Sequence, residues 1–114
     1  EFIYPVAIHV WQLQGKAWKE NIRSENFVVR YQPSEQAHLS IHHDDSSYST
    51  TMGLNKPEID FEGGGTWFPK QKVLGQPKMG ECILFPMPTH RHGGRPTTKG
   101  TRYIIVSFCT RSGQ

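Results

Sequence analysis

The chain has 114 residues, a net charge of +3 and 35% hydrophobic residues, which fits one domain with a compact core. No apolar run approaches the roughly 20 residues that a membrane-spanning helix needs, so we expect no membrane span. The 13 Lys and Arg residues are scattered rather than interleaved with aromatic side chains, which argues against nucleic-acid binding. Because the first residue is Glu1 rather than Met, we expect residues 1–114 to be one domain of a longer protein.

The first half of the chain contains the first four predicted extended segments. Alternation of apolar residues predicts an extended segment over 6–10. β-Branched and aromatic residues predict a strand over 27–31, and further strands are predicted over 39–44 and 49–55. The three glycines at 63–65 predict a tight bend or β-bulge, since the Lys-Ser/Thr pair of a phosphate-binding loop does not follow them.

The second half of the chain continues the pattern of short strands. We predict strands over 66–68 and 81–85, and the strongest strand over 101–110. A polar loop or weak hairpin is predicted over 70–80, and an irregular segment over 90–100. About eight short strands, with eleven Gly and eight Pro between and around them, predict a mainly β fold, either a barrel or a double-sheet jelly roll.

The two cysteines, Cys82 and Cys109, each lie inside an apolar run of the sequence. A small thiol in such a run is usually buried, so we predict two buried free thiols rather than a disulfide.

A potential metal site begins with His42 and Asp44, which are two residues apart on a predicted strand. Side chains two apart project from the same face of a strand. A second imidazole could come from His90 or His92, which share a face for the same reason. Two histidines and one carboxylate leave other metal positions open, as in non-haem Fe(II) oxygenases. The alternative is a solvated turn rich in His, Asp and Ser.

A longer set of motifs resembles the C-terminal oxygenase domain of procollagen lysyl hydroxylases. This domain belongs to the Fe(II)/2-oxoglutarate dioxygenase superfamily and is similar to prolyl 4-hydroxylases. The resemblance implies a double-stranded β-helix, a jelly-roll or cupin-like barrel, and covers nearly the whole chain. The similar stretches, in the family's order and spacing, are 26–31 with 33, 35 and 36, then 42–44, 54–55, 60–65, 89–92, 96–104 and 106–108.

The resemblance implies a role for several residues of the potential metal site. His42 and Asp44 match the first two iron ligands of the family, and His92, rather than His90, matches the third. It implies no catalytic side chain beyond the metal site.

Arg102 matches the arginine that pairs with the distal carboxylate of 2-oxoglutarate in the family, and Tyr31 is a candidate contact of the same co-substrate. A planar guanidinium can give a carboxylate two parallel hydrogen bonds. Arg102 has the strand parity of Ile104 and Val106, so it is predicted to face an apolar interior. Two alternatives remain, namely that Arg102 pairs with a protein carboxylate and that Tyr31 only packs in the core.

Five further residues near these motifs have supporting or alternative roles. His43 points away from His42 and is interpreted as structural or as a support for the ligands. Asp45 and Ser46 could orient the ligands by hydrogen bonds. Trp67 and Tyr48 could line a substrate groove or pack in the core.

The resemblance implies an enzyme that couples decarboxylation of 2-oxoglutarate to hydroxylation of peptidyl lysine in collagen-like sequences. Its cofactors and co-substrates would be Fe(II), 2-oxoglutarate, O₂ and ascorbate. The carboxylate that holds the lysine ammonium could be Asp45, Glu58, Asp60 or Glu62. If the chain follows the animal enzymes, it works in the endoplasmic reticulum lumen. The oligomeric state stays open, with a homodimer among the options.

Departures from the family pattern leave the substrate open. The segment 84–89 is about one residue shorter than in the family, and Phe85 stands where a polar residue is expected. Phe68 and Pro69 resemble prolyl 4-hydroxylases more than lysyl hydroxylases. One alternative is therefore a peptidyl-prolyl or other protein hydroxylase. An alternative of another class is a non-catalytic barrel that binds metal or peptide.

Overall fold

A computed structural model describes residues 22–34 and 39–111, and the regular secondary structure within these ranges is entirely β-strand. This described part has no helix with the length and hydropathy that a membrane span requires. Its strands are β1 (Ile22–Tyr31), β2 (Leu39–His42), β3 (Tyr48–Gly53), β4 (Phe61–Gly63), β5 (Thr66–Phe68), β6 (Val73–Gly75), β7 (Cys82–Pro86), β8 (His92–Gly94), β9 (Thr97–Gly100) and β10 (Arg102–Arg111).

The strands form two four-stranded antiparallel sheets and one separate pair. The first sheet has the order β1-β10-β3-β7, the second has the order β2-β8-β5-β6, and β4 pairs with β9. Side chains from both four-stranded sheets line a shared cavity. This arrangement is the predicted double-stranded β-helix, in which the chain alternates between the two sheets.

Strand β10 lies at the centre of the first sheet and directs one row of side chains into the cavity. Arg102, Ile104, Val106 and Phe108 are two residues apart and all line it, whereas Tyr103 on the other face is partly exposed. The predicted parity of Arg102 with the apolar residues of this strand is therefore confirmed.

The glycine segment 63–65 turns the chain between β4 and β5. The register of β4 against β9 shifts between Glu62 and Gly63, which is a bulge. Gly63, Gly64 and Gly65 have φ values of 76°, 76° and 100°, in the region that side-chain-bearing residues rarely adopt. The prediction of a bend or bulge is confirmed.

Most predicted strands overlap observed ones, with ends that differ by up to five residues. The prediction of an irregular segment over 90–100 is wrong, because it contains β8 and β9. The possible hairpin over 70–80 contributes the short β6, and about eight strands understates the described count of ten. The predicted extended segment over 6–10 lies outside the described residues. The overlapping strands are those predicted at 27–31, 39–44, 49–55, 66–68, 81–85 and 101–110.

Both cysteines are free thiols, as predicted. Cys109 is completely buried and Cys82 is half-buried, so the predicted burial is complete only for Cys109. Burial raises the pKa of each thiol above its usual value, which keeps both in the protonated form.

Candidate metal and co-substrate site

Two neighbouring strands bring His42 and His92 together. His42 ends β2 and His92 begins β8, and the two residues are direct partners in the antiparallel ladder. Their ring centroids are 4.7 Å apart. Asp44 lies two residues beyond β2, in the turn that leads to β3, and its carboxylate reaches back between the two rings.

The Asp44 carboxylate contacts one imidazole with each oxygen. Oδ1 lies 3.0 Å from His42 Nε2, and Oδ2 lies 3.3 Å from His92 Nε2. One potential ligand atom from each of the three residues lies within 4.8 Å of the others. The three side chains predicted to meet from distant parts of the sequence therefore do meet.

The other nitrogen of each ring is held by a backbone carbonyl. His42 Nδ1 donates to the carbonyl of Ser40 at 2.6 Å, and His92 Nδ1 donates to that of His90 at 2.8 Å. In the neutral rings, Nε2 then carries a lone pair and points at a carboxylate. Such a group needs a cation between its members, either a proton or a metal ion, so the donor set fits a divalent metal.

The pKa values of Asp44 and His92 are shifted by the contact between the two side chains. Burial alone would raise the pKa of Asp44, but hydrogen bonds from His92 and Ser49, with the charges of both imidazoles, bring it below its usual value. Burial alone would lower the pKa of His92. Its contacts with Asp44 and the His90 carbonyl outweigh burial and raise that pKa. In the metal-free chain, the pair therefore favours carboxylate with imidazolium.

Ser49 supports Asp44 from strand β3, a role that the sequence did not predict. Its fully buried hydroxyl donates to the Asp44 carboxylate and lies 2.9 Å from Ser46 Oγ. Ser46, predicted as a support, therefore acts through Ser49, while Asp45 is exposed. The alternation that makes Ser49 share a face with the cavity-lining Thr51 was a signal that could have revealed it.

Arg102 is a buried cation that lines the same cavity. Its side chain is 2% exposed, and its Nη2 has no hydrogen-bond partner among the described residues. Within the described ranges no carboxylate pairs with it, so the alternative of a protein carboxylate partner finds no support there. Burial lowers the pKa of the guanidinium, and Tyr31 partly offsets this effect. An uncompensated buried charge is costly, and an anionic ligand would compensate it.

Tyr31 lies beside Arg102, as predicted for a co-substrate contact. The guanidinium carbon is 5.4 Å from the centre of the buried Tyr31 ring, and both residues line the cavity. Burial raises the pKa of the Tyr31 hydroxyl, which stays protonated and can donate a hydrogen bond.

The remaining wall of the cavity is mostly apolar. Phe85 contributes an aromatic ring against His92, with centroids 4.7 Å apart, and also packs on Phe68 at 5.0 Å. The sequence reading singled out Phe85 only as a departure from the family pattern. Five other residues of the wall share the strand parity of Tyr31 or Arg102 and could have been found from the sequence. They are Phe27, Val29, Ile104, Val106 and Phe108.

Four residues with alternative predicted roles lie away from the cavity lining. His90 lines no part of it, and its Nδ1 is 2.9 Å from Thr89 Oγ1. Trp67 stacks under Arg95, with the guanidinium carbon 4.8 Å from the ring centre. Tyr48 is buried on the other face of β3, and the exposed His43 does not contribute either. The packing alternative thus describes Tyr48, and neither aromatic residue lines this cavity.

The four acidic residues considered for binding a lysine ammonium do not line the cavity. Asp60 Oδ2 instead accepts a hydrogen bond from the backbone of Lys56 at 2.7 Å. All four are exposed, namely Asp45, Glu58, Asp60 and Glu62.

A jelly-roll cavity with a two-histidine, one-carboxylate group and a buried arginine has the features of an Fe(II)- and 2-oxoacid-dependent oxygenase. A family model described as the 2OG-Fe(II) oxygenase superfamily matches residues 27–110, and the chain belongs to this superfamily. Its members use Fe(II), 2-oxoglutarate and O₂.

Two curated proteins within this similarity have sequences close to that of the chain. The chain is 49% identical, over 85 residues and 73% of its length, to the human multifunctional procollagen lysine hydroxylase and glycosyltransferase LH3. It is also 49% identical, over 84 residues and 72% of its length, to procollagen-lysine,2-oxoglutarate 5-dioxygenase 1 of Gallus gallus. The chain spans 12% of the length of each relative.

A solved structure supports the fold. The viral collagen prolyl hydroxylase of Paramecium bursaria Chlorella virus-1, in its 2OG complex, matches with a TM-score of 0.66 and 25% identity. The match covers 82% of this chain and 62% of the viral one.

Proposed function

We propose that this chain is the catalytic part of an Fe(II)- and 2-oxoglutarate-dependent hydroxylase of peptidyl lysine in collagen-like sequences. The observation that carries the proposal is the convergence of His42, Asp44 and His92 in one cavity with the buried Arg102, whose Nη2 has no hydrogen-bond partner in the described part of the chain. The names of the two curated relatives support the choice of lysine.

In the proposed site, His42, Asp44 and His92 hold Fe(II). Their backbone partners keep each Nε2 free of a proton in the neutral ring, which is the form that ligates a metal. Bound iron supplies the chemistry that uses O₂ to convert 2-oxoglutarate to succinate and CO₂ while a substrate C–H becomes C–OH. Ser49 orients the carboxylate of Asp44.

Arg102 and Tyr31 bind and orient the distal carboxylate of 2-oxoglutarate. The guanidinium supplies charge-assisted hydrogen bonds, and the Tyr31 hydroxyl supplies a further donor. The buried apolar side chains of Phe85 and Ile104 in the cavity wall limit access of water, which strengthens these interactions.

The choice between lysine and proline rests on the comparisons rather than on the cavity. The four acidic residues that were candidates for the lysine ammonium lie outside the lining. Relatives named for procollagen lysine are 49% identical, whereas the viral protein named for collagen proline is 25% identical. Hydroxylation of peptidyl proline is the second candidate because that solved structure covers 82% of the chain.

The substrate can be tested with two matched collagen-like peptides, one with lysine and the other with proline before each glycine. The full chain is incubated with Fe(II), 2-oxoglutarate, O₂ and ascorbate, while succinate release and peptide mass are followed. Hydroxylation of the lysine peptide alone supports the proposal, and hydroxylation of the proline peptide alone supports the second candidate. If neither succinate nor hydroxylated peptide is formed, the result would indicate the non-catalytic barrel. Omitting ascorbate tests its proposed support of turnover.

Two variants test whether turnover depends on the proposed metal ligands rather than on neighbouring residues. Asp44→Ala removes the carboxylate that contacts both imidazoles and should abolish turnover. His43→Ala changes an exposed histidine beside the site and should leave turnover unchanged. Turnover by the Asp44 variant at the normal rate would contradict the assignment.

A further inference from the structure

The Arg102 side chain passes so close to Gly64 that no side chain fits between them. A Cβ built on Gly64 would lie 2.9 Å from Arg102 Cδ and 3.5 Å from Arg102 Nε. On the other side, it would lie 3.3 Å from Thr97 Oγ1. Real Cβ atoms essentially never approach another heavy atom closer than 3.0 Å, so a methyl group at this position would force a neighbour to move.

Arg102 has little freedom to move aside. Arg102 and Thr97 are each 2% exposed, and the Tyr31 ring lies 5.4 Å from the guanidinium carbon. The atom in closest contact is Cδ, which lies in the middle of the side chain. A displacement of Cδ therefore redirects the guanidinium that it carries.

The same neighbourhood contains two buried polar groups that have no hydrogen-bond partner within residues 22–34 and 39–111. They are Arg102 Nη2 and Thr97 Oγ1. Buried polar groups are usually satisfied, and two unsatisfied ones around the same glycine indicate hydrogen-bonding capacity that a ligand would use.

We propose that Gly64 is a positioning residue of the co-substrate site. Its missing side chain allows Arg102 to pass over the backbone in the one direction that aims the guanidinium at the distal carboxylate. This inference rests on the proposed function, since it takes a 2-oxo dicarboxylate as the ligand.

Gly80 provides a matched control. Gly64 and Gly80 have φ values of 76° and 84°, so alanine causes similar backbone strain at both positions. A Cβ at Gly80 meets no described atom within 4 Å, whereas one at Gly64 meets Arg102 and Thr97. The difference between Gly64→Ala and Gly80→Ala therefore reports these contacts, of which the one with Arg102 Cδ is the closest.

The first measurement is ligand binding by the full chain loaded with Mn(II), without turnover. Two probes are compared, namely 2-oxoglutarate and pyruvate, which lacks the distal carboxylate. Gly64→Ala should weaken 2-oxoglutarate binding by about 10- to 100-fold, because misdirection costs charge-assisted hydrogen bonds. Mn(II) affinity and pyruvate binding should not change, and Gly80→Ala should match the wild type with both probes.

The outcomes distinguish this inference from the function on which it rests. A wild-type chain that binds Mn(II) but not 2-oxoglutarate would overturn both. Wild-type binding of 2-oxoglutarate with equal affinity in Gly64→Ala would overturn only the role of Gly64.

A second measurement uses stability and needs no ligand. Gly64→Ala should lower the melting temperature more than Gly80→Ala does. Adding Arg102→Ala removes Cδ. The additional decrease in melting temperature that Gly64→Ala causes relative to Gly80→Ala should therefore disappear when Arg102→Ala is present in both. If Gly64→Ala does not fold, recovery of folding in the double variant supports the inference. An excess loss that persists without the Arg102 side chain would overturn it.

Discussion

Tyr31 and Arg102 face each other directly across the β1–β10 ladder, and the Arg102 guanidinium carbon lies 5.4 Å from the Tyr31 ring. The pair joins the end of the first described strand to the start of the last. Arg102 has no described carboxylate partner, so an aromatic face and apolar neighbours are the main surroundings of its charge. This arrangement is suited to an anion that enters from outside the protein.

Removal of the Arg102 charge should stabilise the chain without ligand and abolish its response to the co-substrate. We expect Arg102→Met to raise the free energy of unfolding by about 1–3 kcal/mol, because an unsatisfied buried donor is removed. Adding 2-oxoglutarate with Mn(II) should raise the melting temperature of the wild type but not of the variant. Differential scanning calorimetry with and without ligand measures both effects.

Arg91→Met is the control for this experiment, because Arg91 is exposed. It should leave both the stability and the ligand response unchanged. A ligand-free Arg102→Met chain that is several kcal/mol less stable than the wild type would mean that Arg102 has a protein partner.

His92, which begins β8, and His90, two residues before it, should differ sharply in metal binding. His92→Ala removes a group that faces Asp44 and should weaken Mn(II) binding by more than about 100-fold. His90→Ala retains the backbone carbonyl that holds His92, so its effect should stay below about threefold. Isothermal titration calorimetry distinguishes the two, and a greater loss in the His90 variant would reverse the assignment.

Much of the group formed by His42, Asp44 and His92 was predictable because two of its members are close in sequence. His42 and Asp44 are two residues apart, so their side chains stay close even though β2 ends at His42 and Asp44 reaches back from the turn. The choice of His92 over His90 came from the family resemblance, since strand parity allows either residue. The ladder then shows the reason, because His92 is the direct partner of His42.

The parts that sequence reasoning missed depend on pairing between distant segments. Residues 92–94 are His-Gly-Gly, with low intrinsic β-propensity, yet they form β8 between β2 and β5. The contact of Gly64 with Arg102 also depends on tertiary register rather than on local pattern. Such relationships are set by packing, which a propensity argument does not include.

Phe85 should stabilise both the fold and the orientation of His92. Its ring is 3% exposed and packs against His92 and Phe68. Phe85→Ala should lower the free energy of unfolding by about 3–5 kcal/mol, because it removes a buried ring and leaves a cavity. Phe85→Leu fills most of that space and should cost less. Urea denaturation of the three chains provides the comparison, and equal stability of both variants would contradict it.

The stability of the metal-free chain should depend on pH through Asp44 and His92. The pKa of His92 is raised above its usual 6.5, so its contribution is complete below that pH and is lost as pH rises through the folded value. The pKa of Asp44 is lowered below 3.8, so its contribution is present above that pH and is lost as pH falls through the folded value. The pair therefore stabilises the metal-free chain most between these two pH values.

Comparison of the wild type with His92→Gln isolates this contribution. The imidazole of His42 and the backbone of His90 also contact the pair and stay in both chains. With chelator present, the wild-type advantage should be greater at about pH 5.5 than at about pH 8.5. We expect a change of about 1 kcal/mol, which corresponds to about 4 °C in melting temperature. An advantage that is constant over this range, or that grows with pH, would show that imidazolium does not stabilise the Asp44 carboxylate in the metal-free chain.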